Sequence, residues 1–323
     1  MSRTRVLRPD EKSLALAAGL LRDGGLVAFP TETVYGLGAR AYDAAAARRV
    51  YKAKGRPSDN PLIVHVADEA MLADVVKRVT PLARRLIDAF WPGPLTLILE
   101  KSARVPGAVT AGGRTVAVRC PGHPAARALI RALGEPIAAP SANLSGRPSP
   151  TTAAHVLRDL RGRVPLILDG GPCRKGLEST IVDARGLRPV VLRHGTITGE
   201  SLSRAAGVPL RAPGGSAPAS PGTGHRHYAP ACRVILAPPA LVRRGALALD
   251  ASGDGLLHRA PWPGRRPAFA RRVRGGASAY ATALFSALRD AEAAGVRTLY
   301  VETVPDRGVG RAVMDRLRRA ARR

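Results

Sequence analysis

Short apolar runs alternate with amphipathic stretches along roughly the first 200 residues of the chain. Residues 26–29 form an unbroken apolar run directly after Gly24-Gly25, which is typical of a buried strand. Asp10 precedes a helical pattern that extends to about Arg22, and aspartate is a favourable cap at the start of a helix. The same patterns predict further strands at 62–66, 95–99, 115–119, 136–139, 166–168, 180–182 and 190–192, and further helices at 43–53, 68–79, 82–90, 125–133 and 152–160.

Several of these strands are joined by too few residues for a helical crossover, so we predict a large twisted sheet of mixed direction with flanking helices. This α/β domain is expected to span residues 1–204. Pro, Gly and Ser dominate residues 205–230, as in an extended linker. Predicted strands at 233–236 and 299–303 and helices near 278–294 and 310–321 then indicate a smaller three-layer α/β (Rossmann-like) domain over 231–323.

The composition is strongly basic, with a formal net charge of +27 over 323 residues. Such charge attracts polyanions, whether RNA, nucleotides or anionic lipids. Only six of the 51 basic residues are lysine, however, and the arginines are spread along the chain, which indicates a compositional bias more than a dedicated binding arm. No apolar run approaches the roughly 18 to 20 residues of a membrane span. Because the N-terminus also lacks a signal pattern, we expect a cytoplasmic protein without membrane contact.

The signatures of several common enzyme classes are missing from the sequence. The three cysteines form no C-x-x-C pair, which argues against a disulfide framework and a structural zinc site. No G-x-x-x-x-G-K-[S/T] loop is present, and the G-x-G at 308–310 falls short of a dinucleotide fingerprint. No Ser-His-Asp order, thiol–histidine pair or dedicated carboxylate pair stands out. The site is therefore expected to position substrates and neutralise charge.

Several polar residues are candidates for binding from their own chemistry. Just after the first predicted buried strand, the hydroxyls of Thr31 and Thr33 and the carboxylate of Glu32 suit an amino-acid head group, and Gly36 and Gly38 permit close backbone approach. Lys52 and Arg56 lie four residues apart, so a helix end would place both on one side, where they suit a polyphosphate. Arg119 lies on a predicted buried strand and needs an anionic partner, either a substrate carboxylate or an internal Asp or Glu. His65 follows the cationic loop, which favours a role at the site over simple packing.

Seven motifs follow one another in a fixed order, and together they resemble the long, two-domain threonylcarbamoyl-AMP synthases of the YrdC-like family. The motifs are P-T-E-T-V-Y-G-L-G (30–38), K-x-K-x-R-P-x-x-N-P-L (52–62), W-P-G-P-L-T (91–96), A-V-R-x-P (117–121), A-P-S-A-N-x-S-G (139–146), H-Y-A-P (227–230) and V-P-D-R-G-V-G-R-A-V-M-D-R-L (304–317). Any one of them is weak evidence alone, whereas seven in order over nearly the whole chain are specific. The weakest match lies between residues 238 and 276.

The resemblance implies a YrdC-like catalytic domain and a nucleotidyltransferase reaction. ATP, L-threonine and bicarbonate would give threonylcarbamoyl-AMP and pyrophosphate, with Mg²⁺ carried on the ATP phosphates and no organic cofactor. A partner tRNA threonylcarbamoyl transferase complex would then use the product to modify the adenosine next to the anticodon. The linker at 205–230 is expected to close over the site.

The resemblance also implies roles for individual residues. Lys52 and Arg56 would be catalytic, offsetting charge as pyrophosphate leaves. L-Threonine would be held by Thr33, His65, Arg119, the backbone near Ala139, and Ser179. ATP would be surrounded by Lys52, Arg56, Asn60, Thr115, Ser141, Ser149 and Arg193, with Tyr228 of the linker folded over the nucleotide.

Two other interpretations remain at this point. The basic concave surface of such a fold would also suit an RNA-binding protein without catalysis, and weak binding of tRNA stays open for an enzyme as well. The second is a related carbamoyl-transfer enzyme such as a hydrogenase-maturation factor. The sequence carries neither the acylphosphatase nor the zinc-finger segments of such factors.

Overall fold

Two separate sheets organise the chain: a large mixed sheet within residues 5–193 and a small parallel sheet within residues 233–302. They are seen in a computed structural model that describes residues 3–214, 220–222 and 227–322. The predicted fold class, a large mixed α/β sheet followed by a smaller α/β unit, is confirmed. Within these described ranges, no helix is long and apolar enough to cross a membrane.

The large sheet has ten strands in the order β1-β8-β2-β3-β7-β4-β6-β5-β9-β10. Its strands are β1 (Arg5–Leu7), β2 (Val27–Phe29), β3 (Gly36–Arg40), β4 (Ile63–His65), β5 (Leu95–Glu100), β6 (Thr115–Arg119), β7 (Ile137–Ala139), β8 (Leu166–Leu168), β9 (Thr180–Asp183) and β10 (Val190–Arg193). The accompanying helices are α1 (Glu11–Arg22), α2 (Ala44–Lys54), α3 (Glu69–Val75), α4 (Pro81–Phe90), α5 (Gly107–Thr110), α6 (Pro124–Leu133), α7 (Ala153–Leu160) and α8 (Gly199–Ala206).

The side-chain alternation of the central strands separates the two faces of this sheet. Val64 and Val118 belong to the main hydrophobic core, whereas Ile63 and Ala117 belong to a small second cluster. Because alternate strand residues share a face, the side chains two positions beyond this small cluster, His65 and Arg119, emerge beside it. These two residues are register partners on the parallel pair β4 and β6. The pairing therefore brings an imidazole and a guanidinium together.

The small sheet is entirely parallel, in the order β11-β14-β12-β13. Its strands are β11 (Arg233–Ala237), β12 (Asp254–His258), β13 (Phe269–Arg272) and β14 (Thr298–Glu302), and its helices are α9 (Pro239–Arg243), α10 (Ala277–Ala293) and α11 (Val309–Ala321). Helices α10 and α11 pack on it through an apolar core that also includes Leu177 and Tyr228. The small unit thus shares its core with the linker and with the large unit.

Two fully buried arginines of the small unit bind carboxylates of the large one. Arg289 on α10 donates to both carboxylate oxygens of Asp159, at 3.1 and 2.7 Å. Arg316 on α11 donates from Nε to Glu178 at 3.1 Å. Breaking a buried pair leaves an uncompensated charge, so both pairs strongly favour one relative placement of the units.

The largest differences from the predicted elements have local causes. Helix α3 ends at Val75 instead of residue 79 because Val76 is extended and bridges Lys101. Strand β3 was not predicted, since its sequence G-L-G-A-R is poor in β-formers. Strands β12 and β13 were missed for the same kind of reason, as Gly and Arg occupy positions that an apolar strand pattern would need.

Candidate active site

A pocket on the second face of the large sheet collects most of the predicted binding residues. Its lining comes from the loop after β2, the ends of β4, β6 and β7, the loop before β9, and the linker. The lining residues include Thr31, Thr33, Arg56, His65, Arg119, Ala139, Ser141, Glu178, Ser179, Arg193, Pro221, Gly222, His227 and Tyr228. The pocket has a volume of about 60 Å³. That is room for roughly four waters, the size of a small amino acid and much less than a nucleotide.

Arg119 is the buried cation at one end of the pocket. Its Nη2 lies 2.6 Å from Oε1 of Glu32, its Nη1 donates to the Thr33 hydroxyl at 2.9 Å, and its Nε donates to the Gly93 carbonyl at 3.1 Å. Of the two partners that the sequence left open, an internal carboxylate is therefore present. Burial raises the pKa of Glu32, but the charge of Arg119 and a backbone N–H bond from Gly122 bring it below its usual value.

The threonines after β2 form a tight hydroxyl turn at the same end. Thr31 Oγ1 lies 2.8 Å from Thr33 Oγ1 and donates to the Val34 carbonyl at 2.6 Å. This bonding holds the Thr33 hydroxyl toward Arg119. Gly36 and Gly38 were expected to allow close backbone approach. In the structure it is the Phe29 ring of the protein itself that lies close to both. A Cβ on Gly38 would lie 2.9 Å from the ring of Phe29, whose register partner across the β2–β3 pair is Gly36.

His65 is neutral in this environment. Its ring packs edge-on against Phe29, and Nδ1 faces the Ile63 carbonyl at 3.1 Å, so Nδ1 carries the hydrogen. Burial, and next the positive charge of Arg119, lower the pKa of His65 to about 3. The side chain therefore contributes polarity and shape but no positive charge at neutral pH.

The depressed pKa of His65 predicts a pH dependence of folding. As pH falls from about 6.5 to about 3, His65 becomes protonated in the unfolded chain but stays neutral in the folded chain. The free energy of unfolding therefore decreases as pH falls through this range. His65→Gln should reduce the slope of unfolding free energy against pH between 5 and 6 by up to about 1.4 kcal/mol per pH unit. Urea titrations at several pH values measure both slopes. Parallel curves for the two proteins would contradict the assignment.

Two further arginines face the middle of the pocket. Arg56 donates from Nε to the Asn60 carbonyl at 3.1 Å and from Nη2 to the Pro61 carbonyl at 2.9 Å. Arg193 donates to the carbonyl and hydroxyl of Ser179 at 3.1 and 3.2 Å. Burial lowers the pKa of Arg56 to about 10, so its guanidinium remains charged at neutral pH. Both guanidinium groups lie in one small, water-poor space, which suits a multiply charged anion.

The linker forms one wall of the pocket. Arg193 donates to the Pro221 carbonyl at 3.1 Å, and the Gly222 N–H donates to Asn60 Oδ1 at 3.1 Å. The Tyr228 ring stacks on Phe285 with centroids 5.3 Å apart, and the Arg316 guanidinium lies 5.5 Å from its centre. Arg193 and Asn60 of the large unit thus hold the linker at Pro221 and Gly222. Phe285 and Arg316 of the small unit hold it at Tyr228.

Four of the predicted residues lie outside the pocket lining. Asn60 and Ser149 are buried directly behind it, bonded to Arg56 and to Glu178 respectively. Lys52 is exposed on α2, and Arg56 lies beyond the helix because α2 ends at Lys54 with Gly55 in the left-handed conformation. The expectation that Lys52 and Arg56 share a helix face is wrong for this reason. Thr115 starts the strand that Arg119 ends, and it lines a different crevice with Lys77 and Lys101.

The structure also brings in residues that the motif assignment had passed over. Lys54 is buried, and its ammonium donates to the carbonyls of Ser141 and Asn143. Burial lowers the pKa of Lys54 well below its ordinary value. Glu32 and Glu178 supply the carboxylates for Arg119 and Arg316. Lys54 and Glu32 stand within quoted motifs, and Glu178 directly precedes the predicted site residue Ser179, so the available signal was a buried charge that needs a partner.

Comparison with known proteins assigns both parts of the chain. Residues 19–195 match the family described as Telomere recombination (Sua5/YciO/YrdC), and residues 196–322 match the Threonylcarbamoyl-AMP synthase, C-terminal domain. The chain is 44% identical to the threonylcarbamoyl-AMP synthase of Pyrococcus abyssi, over 97% of this chain and 95% of the relative. It is also 44% identical to the threonylcarbamoyl-AMP synthase of Bacillus subtilis, over 98% and 95%.

A solved structure agrees over the whole length. The crystal structure of P. abyssi Sua5 complexed with L-threonine matches with a TM-score of 0.90 at 41% identity, covering 99% of this chain and 97% of that one. Fold and pocket together define an α/β enzyme with the YrdC-like fold. The chain belongs to the threonylcarbamoyl-AMP synthase family, as its motifs predicted.

Proposed function

We propose that this protein is an L-threonylcarbamoyladenylate synthase, which converts ATP, L-threonine and bicarbonate into threonylcarbamoyl-AMP and pyrophosphate. The observation that carries the proposal is one buried pocket with an amino-acid-sized end at Thr33 and Arg119 and an anion-binding middle at Arg56 and Arg193. Relatives that cover almost the whole chain bear the name of this activity.

The threonine end would use an arginine fork that the protein has already oriented. Arg119 is held by Glu32 and Gly93, and its bond to the Thr33 hydroxyl aligns the two groups. A substrate carboxylate would share the guanidinium with Glu32, so binding would not bury an unpaired cation. His65, the Ala139 backbone and Ser179 would complete this end of the site.

The nucleotide end would work by charge compensation. Threonine and bicarbonate form a carbamate with loss of water, a carbamate oxygen attacks the α-phosphorus, and pyrophosphate leaves. Arg56 and Arg193 lie where they would offset the charge that builds on the leaving phosphates. Ser141 would contact the nucleotide directly, and Asn60 and Ser149 would support it from behind.

Mg²⁺ is expected with the ATP phosphates and not in a site made by protein side chains. Glu178 in the pocket lining and Glu32 behind Arg119 are already ion-paired, with Arg316 and Arg119 respectively. Among the residues that the structure describes, no three His, Cys, Asp or Glu side chains group as metal ligands. This donor set fits an ion held by phosphate oxygens and water, where it would neutralise phosphate charge.

The linker would act as a lid. Pro221, Gly222 and Tyr228 line the pocket, so these residues would have to move aside for a ligand as large as ATP to enter. Closure over a bound adenylate would exclude water from a reactive mixed anhydride and a labile carbamate. A cytoplasmic location and delivery of the product to a tRNA threonylcarbamoyl transferase remain part of this proposal.

The activity is tested by incubating the purified chain with ATP, L-threonine and labelled bicarbonate. We expect pyrophosphate release that depends on threonine, and label in an adenylate that contains threonine. L-Valine, which has a methyl group in place of the hydroxyl, is the matched control substrate. Pyrophosphate release that is indifferent to threonine would overturn the proposal.

The two lysines of the K-x-K motif give a paired prediction. Lys54→Met leaves the Ser141 and Asn143 carbonyls without their donor and loosens the loop that would hold the nucleotide. A hydrogen bond to a charged group contributes about 1.5–3 kcal/mol, so kcat/KM for ATP should fall by about 10- to 100-fold. Lys52→Met, at the exposed position, should stay within about twofold. Steady-state kinetics of both variants would refute this assignment if Lys52→Met were the more damaged.

A further inference from the structure

The small parallel sheet carries a second cavity at the edge where all four of its strands end. The cavity follows the carboxyl ends of β11, β12, β13 and β14 and has a volume of about 420 Å³. In open α/β sheets, ligands bind in the crevice outside the carboxyl ends of the strands. It shares no lining residue with the pocket at Arg119.

Four arginines line this cavity: Arg243, Arg259, Arg272 and Arg274. Within the described part of the chain, none of them forms an ion pair with an acidic side chain. Nε of Arg259 is buried without a hydrogen-bond partner. A buried donor without a partner carries an energetic cost unless a ligand supplies the acceptor.

The single lining carboxylate does not neutralise these cations. Oε2 of Glu302 accepts from the backbone N–H groups of Arg259 at 2.6 Å and Ala260 at 3.1 Å. This carboxylate therefore shapes the turn after β12. The cavity has a net excess of three positive charges.

We propose that this cavity binds the phosphate chain of a di- or triphosphate, either inorganic or carried by a nucleoside. Guanidinium forks match phosphate oxygens in pairs, and four forks around one concavity suit several linked phosphates better than a single carboxylate. The recessed shape at a sheet edge favours a small ligand over an RNA backbone. This site is separate from the proposed catalytic pocket, and it gives the arginine-rich segment 238–276 a role in binding.

The test counts binding sites on the full chain by equilibrium dialysis with labelled pyrophosphate. Arg272→Gln/Arg274→Gln removes two exposed cations that line the cavity, whereas Arg265→Gln/Arg266→Gln removes two equally exposed cations nearby that do not line it. Each arginine removed should weaken binding at the cavity about tenfold. At pyrophosphate concentrations that fill the cavity in the wild type, we therefore expect wild type and control to bind one pyrophosphate more than the cavity variant.

Competition with ATP and with tripolyphosphate then identifies the source of the phosphates. Stronger competition by ATP indicates a nucleotide, and equal competition indicates recognition of the phosphate chain alone. Equal site counts in all three proteins would overturn the proposal, as would equal losses in both double variants. Reduced tRNA binding in the cavity variant without any change in pyrophosphate binding would also overturn it, in favour of an RNA contact. Threonine-dependent turnover, measured on the same samples, reports separately on the proposed function.

Discussion

In the Arg119→Ala variant, threonine-dependent pyrophosphate release should be lost almost completely, together with about 3–5 kcal/mol of unfolding free energy. The large stability effect arises because Glu32 is left buried without its cation. The loss of activity arises because the threonine carboxylate would lose its guanidinium, and Thr33 would lose the donor that orients its hydroxyl. Chemical denaturation measures the loss of unfolding free energy. Pyrophosphate release and calorimetric titration with threonine measure the loss of activity and of threonine binding.

A paired substitution separates the two effects. Arg119→Met/Glu32→Gln removes both charges, so most of the stability should return while threonine binding stays weak. ATP binding should change much less than threonine binding in this double variant, because Arg56 and Arg193 are intact. Equal losses of ATP and threonine affinity would show that Arg119 does not belong to the threonine end of the site.

Arg316→Met is expected to have the second largest effect, although this residue lies on the small unit. Glu178 would lose its partner, and the Tyr228 ring would lose the cation beside it. We expect a loss of about 3–5 kcal/mol in unfolding free energy. In the protein that remains folded, turnover should fall and hydrolysis of the adenylate to AMP should rise, because water reaches the site past a loosened linker.

Arg289→Met is the matched control for this prediction. It breaks a fully buried arginine–carboxylate pair between the same two units, with Asp159, but Asp159 does not line the pocket, whereas Glu178 does. Asp159 keeps Arg147 as a partner at 3.3 Å, so the stability loss should be smaller, and adenylate hydrolysis should stay at the wild-type level. If both variants hydrolyse the adenylate to AMP equally fast, Arg316 acts only by docking the two units and does not position the linker.

The apolar pattern and the short connections were enough to predict the mixed sheet, and the motifs contained most of the predicted residues that line the pocket. His65 and Arg119 lie on strands that the apolar pattern identified, and parallel pairing places them side by side. A pattern that alternates between two faces therefore carries positional information about a site.

The expectation that Lys52 and Arg56 share a helix face was wrong because helix geometry was assumed to continue as far as Arg56. Gly55 adopts the left-handed conformation, so α2 stops at Lys54 and Arg56 leaves on a new path. Spacing alone could not show which lysine points inward. The glycine after K-x-K was the signal, since glycine is the common residue just past a helix end.

The partners of the buried arginines were also beyond reach of the sequence. Arg119 and Glu32 are far apart in the chain, and Arg316 meets Glu178 only after the two units dock. The sequence showed that a buried guanidinium needs an anion, but the choice between substrate and protein depends on tertiary packing. The cavity at the end of the small sheet could not be predicted, because arginines occur along the whole sequence and nothing distinguishes those that line the cavity.

Tyr228 has a φ of 69°, in the left-handed region that a bulky side chain rarely adopts. Such a backbone costs on the order of 1–3 kcal/mol and persists only where surrounding contacts impose it. Stacking on Phe285 and the nearby charge of Arg316 provide those contacts. These contacts therefore hold the backbone of Tyr228 in a strained conformation, and moving the ring away from Phe285 and Arg316 would release that strain.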